Sequence, residues 1–307
     1  MGITVLGAVF IDIKGFPLTQ YIPGGRNVGN VVQVHGGVSR NIAEDIGNIN
    51  LNPNFLSVVD DSGTSTDVME RLREHGVNTE YILRRKDGLG IWLAVFDNNG
   101  DVTASISKRP VLLPLKDLLL EKGDEIMAKT DSIALEIDLE EEVLEVLFDL
   151  AEKYRKPVFA AVSNMSIAME RRNYLRRVAC LVCNQQEAGQ LFSCELTGLH
   201  KDVLLTVLTR YCRRAGIPRM IVTLGVEGCI YIDEEESGYY SAYNMDVIDT
   251  TGAGDAFFAG VTIGLTYGKT IQESAVIGTR LASSVIATKE STCPAFRPEE
   301  FGIVTAH

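Results

Sequence analysis

Short apolar runs rich in β-branched residues alternate along the chain with stretches in which apolar residues recur every three or four positions. The first pattern predicts strands at 3–10, 55–59, 133–137, 158–162, 181–183 and 220–224. The second predicts helices over 41–49, from 68 to about 76 and from 143 to 150. Continuous apolar strands separated by helices are typical of a parallel sheet that is covered on both faces. The pattern therefore predicts an α/β fold.

Two segments, residues 12–35 and 88–108, break this alternation. The first is rich in glycine, valine and polar residues and lacks helical spacing. In the second, Asn99-Gly100 separates two strand-like runs, and Asn-Gly is a strong signal for a hairpin turn. We interpret both segments as one small β-sheet, which is either a lid that excludes water from a site or an insertion without a function.

Composition and charge narrow the possible functions. Of the 307 residues, 46% are hydrophobic and 23% are charged, which is ordinary for a soluble globular protein. The net charge of −12 argues against non-specific nucleic-acid binding and requires local features to hold any phosphate ligand. A membrane helix and a signal peptide are not evident, and the six cysteines are scattered. We therefore expect a cytoplasmic protein without nucleic-acid or membrane partners.

The segment 249–260 carries the strongest chemical signal, because two glycines stand between a strand-like run and a helical run. The backbone of Gly252, Ala253 and Gly254 can approach a ligand closely, and the free N–H groups of a first helical turn attract anions. The segment therefore predicts an anion hole. Asp255 lies at its mouth, where a carboxylate either accepts a proton from an attacking hydroxyl or caps the helix.

Two further motifs follow predicted strands. Thr223, Gly225 and Gly228 either line the phosphates of a nucleotide or form a hairpin turn. Asn184 and Glu187 start a helical run, where they either orient Mg²⁺ through water or form a capping box.

Polar residues near the N-terminus suggest a site for a sugar. Asp12 is expected at the end of the first strand, and Gly36 and Gly37 precede a helix that has Asn41 in its first turn. An Asp and an Asn placed in this way can grip vicinal hydroxyls.

Taken in order, these motifs resemble the ribokinase-like (PfkB) family of sugar and nucleoside kinases. The shared motifs are Ile11-Asp12, Gly36-Gly37 with Asn41, Asp61-x-Gly63, Gly76-Val77, Asn184-x-x-Glu187, Thr223-Leu224-Gly225-x-x-Gly228 and the run from Asp249 to Asp255. The resemblance implies a single ribokinase-like domain over residues 1–307, with three α/β/α layers, a mostly parallel central sheet and a small β-sheet lid formed by 12–35 and 88–108.

The resemblance also implies roles for the candidate residues, with ATP as phosphate donor. Asp255 would be the base, and the backbone of Gly252, Ala253 and Gly254 would form the anion hole. The nucleotide and its Mg²⁺ would be bound by Asn184, Glu187, Thr223, Gly225 and Gly228, with Glu187 reaching the metal through water. A monovalent cation such as K⁺ would be bound by Asp249 and Thr251. The acceptor would be bound by Asp12, Gly36, Gly37, Arg40 and Asn41.

One departure from the family pattern is visible, because Ser163 and Asn164 stand where many members have an Asp at the end of a strand. Arg40 and the lid segment 96–101 are most similar to pseudouridine kinases, which phosphorylate the 5′ hydroxyl of a C-nucleoside. A kinase of a free sugar, such as ribose or fructose, is the first alternative. A non-catalytic sugar- or nucleotide-binding protein is the second. The open edges of a small sheet predict a homodimer joined through the lid.

Overall fold

The computed structural model describes residues 2–304. The strands are β1 (Gly2–Leu6), β2 (Phe10–Pro17), β3 (Gly29–Gly36), β4 (Asn54–Val59), β5 (Ile82–Arg84), β6 (Gly90–Phe96), β7 (Val102–Lys108), β8 (Thr130–Glu136), β9 (Val158–Ala161), β10 (Cys180–Asn184), β11 (Met220–Thr223), β12 (Cys229–Ile232) and β13 (Ser237–Tyr240). The helices are α1 (Val38–Gly47), α2 (Gly63–Glu74), α3 (Pro114–Ala128), α4 (Glu141–Tyr154), α5 (Met165–Glu170), α6 (Gln185–Phe192), α7 (Lys201–Ala215), α8 (Ala253–Thr266) and α9 (Ile271–Ile286).

The central sheet runs in the order β13-β12-β11-β10-β9-β8-β1-β4-β5. Neighbouring strands from β11 to β5 are parallel, whereas β12 and β13 are antiparallel to their neighbours. Parallel neighbours need crossover connections, and helices supply most of them here. The predicted α/β fold with a mostly parallel sheet is therefore confirmed.

Each face of this sheet buries its own apolar core. Helices α1, α2, α8 and α9 contribute to the core on one face, and α3, α4, α6 and α7 contribute to the core on the other. The predicted stripe of α4 is an example, because Val143, Leu144 and Leu147 are fully buried. Burying a side chain of this size contributes about 1.5–3 kcal/mol, so the apolar spacing of the helix fixes the face that it presents to the sheet. In the part of the chain that the structure describes, no helix is long and apolar enough to cross a membrane.

The second sheet, which we call the lid, has the order β3-β2-β6-β7 and comes from the two segments that break the alternation. The predicted hairpin is present, with β6 and β7 antiparallel across residues 97–101. The first strand differs from the prediction, because β1 ends at Leu6 and the chain enters the lid at Phe10. Asp12 is consequently the third residue of β2 and does not end the first strand.

The strand-like run expected before residue 249 is also absent, since residues 241–252 form neither strand nor helix in the structure. The apolar side chains of this segment do not pack in a sheet. Tyr243, Met245 and Val247 line a cavity, so their hydrophobicity serves a cavity wall and not a strand.

Helices α8 and α9 pack very closely through glycines. A Cβ atom on Gly260 would lie 2.6 Å from the Cα of Gly278, and that neighbour is backbone, which cannot rotate away. Gly278 is equally confined, because its Cβ would lie 2.7 Å from the carbonyl oxygen of Phe257. The position of α8 therefore depends on two residues that have no side chain.

This contact predicts that Gly260→Ala lowers the free energy of unfolding by about 1–3 kcal/mol, because the added methyl forces the two helices apart. Urea denaturation followed by circular dichroism measures the change. Gly63→Ala is the matched control, since a Cβ at this helical position meets nothing within 4 Å, and it should leave stability equal or higher. Equal stability of the two variants would contradict the close-packing argument.

Candidate functional site

Helix α8 begins at a glycine that no other residue can replace without strain. Gly252 has φ 82°, and a Cβ there would lie 1.9 Å from the carbonyl oxygen of Ser291. Within residues 2–304, the N–H groups of Gly254 and Asp255 have no hydrogen-bond acceptor. The N–H of Ala253, which was expected in the anion hole, donates instead to the carbonyl oxygen of Thr250 at 3.2 Å. The helix start thus offers free amides and the positive end of its dipole to an anion.

Asp255 lies in the first turn of α8 and is partly buried. The amide nitrogen of Asn41 donates to its Oδ2 at 2.6 Å, which joins the start of α1 to the start of α8. Burial raises the pKa of Asp255 to about 7, and the nearby charges of Glu136 and Asp12 act in the same direction, while Asn41 and Arg40 oppose the rise. A carboxyl group with this pKa can take up and release a proton near neutral pH.

The predicted acceptor residues come together around a cavity of about 300 Å³, which we call the acceptor cleft. Its lining includes Asp12, Gly36, Arg40, Asn41, Asp249 and Thr251. Gly36 has to lack a side chain, because a Cβ would lie 2.6 Å from the carboxylate of Asp12. Gly37, with φ 100°, turns the chain into α1 beside the cleft. The structure thus brings together predicted residues from the lid, from α1 and from the segment before α8.

Arg40 differs from its expected role as an acceptor ligand. Its side chain is 1% exposed, its Nη1 donates to Glu44 Oε2 at 2.5 Å, and its Nη2 donates to the carbonyl oxygen of His35 at 2.5 Å. Glu44 is also bound by Arg71 and by the Thr292 hydroxyl, each at 2.8 Å. Both terminal nitrogens of the guanidinium are engaged in this buried network, so Arg40 supports the wall of the cleft.

Aromatic side chains on the lid were not singled out from the sequence. Trp92 on β6 pairs with Asp12 on β2, and paired residues of neighbouring strands share a face of the sheet. Phe96 lies edge-on to Trp92 at 6.4 Å and stacks on Phe16 at 4.7 Å between ring centroids. The face of the lid that bears Asp12 therefore continues into a row of three aromatic rings. The two-residue alternation of side chains along β2 and β6 was the sequence signal that could have identified this aromatic row.

A second cavity, of about 540 Å³, lies on the other side of the 249–254 segment, and we call it the nucleotide cavity. Its lining includes the predicted residues Thr223, Gly225, Gly228, Ala253 and Gly254. Gly228 has φ 112° and a Cβ there would lie 2.0 Å from the carbonyl oxygen of Tyr240, so a side chain is excluded. The segment from Thr223 to Gly228 is the hairpin turn between the paired strands β11 and β12, and the same segment forms part of the cavity wall.

Asn184 and Glu187 form a capping box at the start of α6. The Asn184 N–H donates to Glu187 Oε2 at 2.8 Å, and the Glu187 N–H donates to Asn184 Oδ1 at 2.9 Å. Neither residue lines the two cavities, although Asn184 is in register with Thr223 at the same edge of the sheet. Burial raises the pKa of Glu187 and the charge of Asp138 adds to the rise. Within residues 2–304 its second oxygen, Oε1, has no hydrogen-bond partner, which suits a water-mediated contact to Mg²⁺.

Sequence reasoning missed two buried carboxylates at the end of β8. Glu136 Oε1 accepts hydrogen bonds from the N–H and the hydroxyl of Ser39, at 3.1 and 2.6 Å. Asp138 accepts from Arg109 at 3.0 Å and from the N–H and hydroxyl of Ser163 at 3.3 Å. Ser163 follows β9, at a position where the family pattern often has an acid. Here the neighbouring carboxylate is that of Asp138, which follows the adjacent strand β8. Their place after a buried parallel strand was the available signal.

Asp249 and Thr251, the expected ligands of a monovalent cation, lie beside the anion hole. The Thr251 N–H donates to Asp249 Oδ1 at 2.8 Å, and both residues line the acceptor cleft. Over the described range 2–304, no group of three or more His, Cys, Asp or Glu side chains is arranged to hold a metal ion.

Comparison with known proteins agrees with this geometry. The sequence profile of the pfkB family carbohydrate kinases matches residues 2–296. A guanosine-inosine kinase of Exiguobacterium acetylicum is 31% identical over 292 residues, which cover 94% of this chain and 95% of the relative. The pseudouridine kinase of Escherichia coli (strain K12) is 24% identical over 261 residues, which cover 84% and 82%.

Among solved structures, that of Arabidopsis thaliana ribokinase complexed with ribose and ATP aligns with a TM-score of 0.82. It covers 98% of each chain at 19% identity, so the likeness shows the ribokinase-like fold. The matched sequence profile spans both sheets, the acceptor cleft and the anion hole. The chain belongs to the pfkB family of carbohydrate kinases.

Proposed function

We propose that this kinase transfers the γ-phosphoryl group of ATP to the 5′ hydroxyl of a nucleoside. The family makes the protein a phosphotransferase with a hydroxyl acceptor, and the proposal concerns which acceptor it takes. The observation that carries it is the aromatic row of Trp92, Phe96 and Phe16 beside Asp12. Aromatic rings stack on nucleobases, so the row offers a platform for the base of a nucleoside.

The relatives support an order of preference among nucleosides. The match to the guanosine-inosine kinase has higher identity and covers more of both chains than the match to the pseudouridine kinase. We therefore place guanosine and inosine first. Pseudouridine, which the sequence around Arg40 favoured, is the second candidate because the Escherichia coli relative supports it.

Two carboxylates would act on the acceptor, one by binding it and the other by accepting its proton. Asp12 would bind the vicinal 2′ and 3′ hydroxyls of ribose, which leaves the 5′ hydroxyl to face Asp255. Asp255 would accept the proton of this hydroxyl while its oxygen forms a bond to the γ-phosphorus and the bond to the ADP oxygen breaks. The hydrogen bond from Asn41 fixes the orientation of the Asp255 carboxylate, so the hydroxyl is held in line for attack.

The anion hole would stabilise the charge on the phosphoryl group. The free N–H groups of Gly254 and Asp255, with the dipole of α8, would face the place where that charge develops. Magnesium bound with the nucleotide would neutralise phosphate charge, and Glu187 would reach it through water. Asp249 and Thr251 would bind a monovalent cation, and dependence on K⁺ stays a prediction.

The outer face of the lid suits a second copy of this chain. Ile13 pairs with Leu93, and Leu93 pairs with Ile106, so all three share the face opposite to Asp12. Val31 is on the same face, and Val31 and Ile106 are 74% and 71% exposed. The edges of the lid, β3 and β7, lack a neighbouring strand within the described chain. We propose a homodimer in which two lids pack through these residues.

The acceptor is tested with a coupled ADP assay over guanosine, inosine, pseudouridine, uridine, ribose and fructose. We expect the highest kcat/KM with guanosine or inosine. Trp92→Ala should lower kcat/KM for the best nucleoside by at least ~10-fold through loss of stacking, and should affect free sugars little. Turnover of free sugars without turnover of any nucleoside would contradict the proposal.

Asp255→Asn is the control for the chemistry in the same assay. It should cut kcat by at least ~10²-fold and leave ATP binding nearly unchanged, because the amide cannot accept the proton. Near-normal turnover of this variant would exclude Asp255 as the base.

The raised pKa of Asp255 predicts how activity depends on pH. The base must be deprotonated, so kcat/KM for the nucleoside should rise as pH increases through about 7 and then level off. Asn41→Ala removes a donor that lowers this pKa, so the rise should move to higher pH. Residual turnover of Asp255→Asn serves as control, since it should lack this dependence. If the pH profile of Asn41→Ala matched that of the wild type, the Asn41–Asp255 hydrogen bond would not control the pKa of the base.

The dimer is tested by light scattering at micromolar concentration, where the mass should be twice the chain mass of 33.6 kDa. Ile106→Lys should yield monomers, because a buried ammonium without a partner is costly. Val203→Lys, at an exposed position on α7, is the matched control and should remain dimeric. A monomeric wild-type protein would refute the association.

A further inference from the structure

ATP brings several negative charges to a protein that is itself acidic. The nucleotide cavity offers little to offset them, since none of its lining residues, all within the described chain, is a lysine, arginine or histidine. The acceptor cleft, by contrast, includes four cationic side chains: Lys14, Arg40, Arg71 and Lys289. Besides the bound metal ions, a cationic side chain at the transfer point can therefore come only from the acceptor side of these two cavities.

Two of these four cations already form ion pairs with carboxylates. Arg40 is paired with Glu44, and Arg71 is paired with Glu44 and with Glu290 at 3.3 Å. Lys14 and Lys289 have no carboxylate within 4.0 Å anywhere in residues 2–304. Lys289 is exposed in the segment after α9, whereas Lys14 is partly buried on the lid. Lys14 is thus the partly buried cation of the cleft without a counter-charge.

The register of the lid directs Lys14 to the site. It lies two residues after Asp12 on β2, so both side chains are on the face that lines the acceptor cleft. Its neighbours in the adjacent strands are Val32 and Ala94, which offer no hydrogen-bonding side chain. The long side chain is therefore free to extend into the cleft.

The electrostatics of two carboxylates support this placement. Burial raises the pKa of Asp12, and the positive charge of Lys14 opposes the rise. Burial also acts to raise the pKa of Asp249, but hydrogen bonds from Thr251 hold it below its usual value, and Lys14 contributes to the lowering. The ammonium is therefore near both the acceptor ligand on the lid and the segment that leads into the anion hole.

We infer that Lys14 is a catalytic residue whose ammonium contacts the phosphoryl group during transfer, an inference that rests on the proposed function. It donates a hydrogen bond to a non-bridging oxygen while the bond from the nucleoside oxygen to phosphorus forms and the bond to the ADP oxygen breaks. The ammonium keeps its protons, and the proton of the hydroxyl goes to Asp255. Since Asp12 and Lys14 share a strand, the lid that binds the acceptor also supplies the cation.

The test is steady-state kinetics of Lys14→Gln with the best nucleoside. We expect kcat to fall by at least ~10²-fold while the KM of the nucleoside stays within about threefold, because the lost contact belongs to the transition state. Lys14→Arg should retain more activity than Lys14→Gln, since it keeps a cationic donor. Lys108→Gln is the matched control, on the opposite face of the lid and 3.8 Å from Asp87, and should leave kcat unchanged.

A chemical rescue separates contact with the phosphoryl group from support of the lid. Ethylammonium added to Lys14→Ala should raise kcat at least several-fold and should not raise that of Trp92→Ala. A wild-type enzyme without nucleoside turnover contradicts the proposed function and this role together. An active wild type with normal kcat in Lys14→Gln overturns the role of Lys14 alone. A raised nucleoside KM with unchanged kcat also overturns it, because Lys14 would then only bind the acceptor.

Discussion

The hydrogen bond between Asn41 and Asp255 is the contact on which the site depends. It joins the first turns of α1 and α8, each of which starts at a glycine with positive φ, Gly37 and Gly252. In the proposed mechanism α1 places Asn41 beside the acceptor, and α8 supplies the free amides of the anion hole. Because the two helix starts meet through one short contact of 2.6 Å, this hydrogen bond would hold the acceptor and the phosphoryl group at a fixed separation.

A buried ionic network holds α1 in the position that this contact needs. Glu44, one turn after Asn41, is bound by Arg40, Arg71 and the Thr292 hydroxyl. The next residue, Asp45, accepts from the N–H of Cys293 at 2.6 Å. Removing one partner of a buried charged pair costs about 3–5 kcal/mol, so the network resists displacement of α1. The segment 291–293 that it holds also packs against Gly252, through the carbonyl oxygen of Ser291.

Much of the fold and the site could be predicted from the sequence, because both depend on local signals. Apolar spacing indicated the helices and strands, and the glycines at 252 and 254 indicated the anion hole. What failed depends on distant neighbours. A strand-like run was expected before residue 249, but its apolar residues Tyr243, Met245 and Val247 line a cavity. Arg40 looked like a ligand, but Glu44 and His35 occupy it. Glu136 and Asp138 were missed because a single acid after a strand looks like part of any turn.

The glycine contact between α8 and α9 has a consequence for motion. Helices whose backbones touch at Gly260 and Gly278 leave little room to slide or tilt, so we expect the start of α8 to be preorganised. Admission of an acceptor and expulsion of water would then require the lid to move as a rigid body. The chain passes between the lid and the rest of the fold at residues 7–9, 37, 85–89 and 109–113, so these short crossings would serve as the hinges. The rate of opening at these hinges would then set the turnover of an enzyme whose reacting groups are already in place.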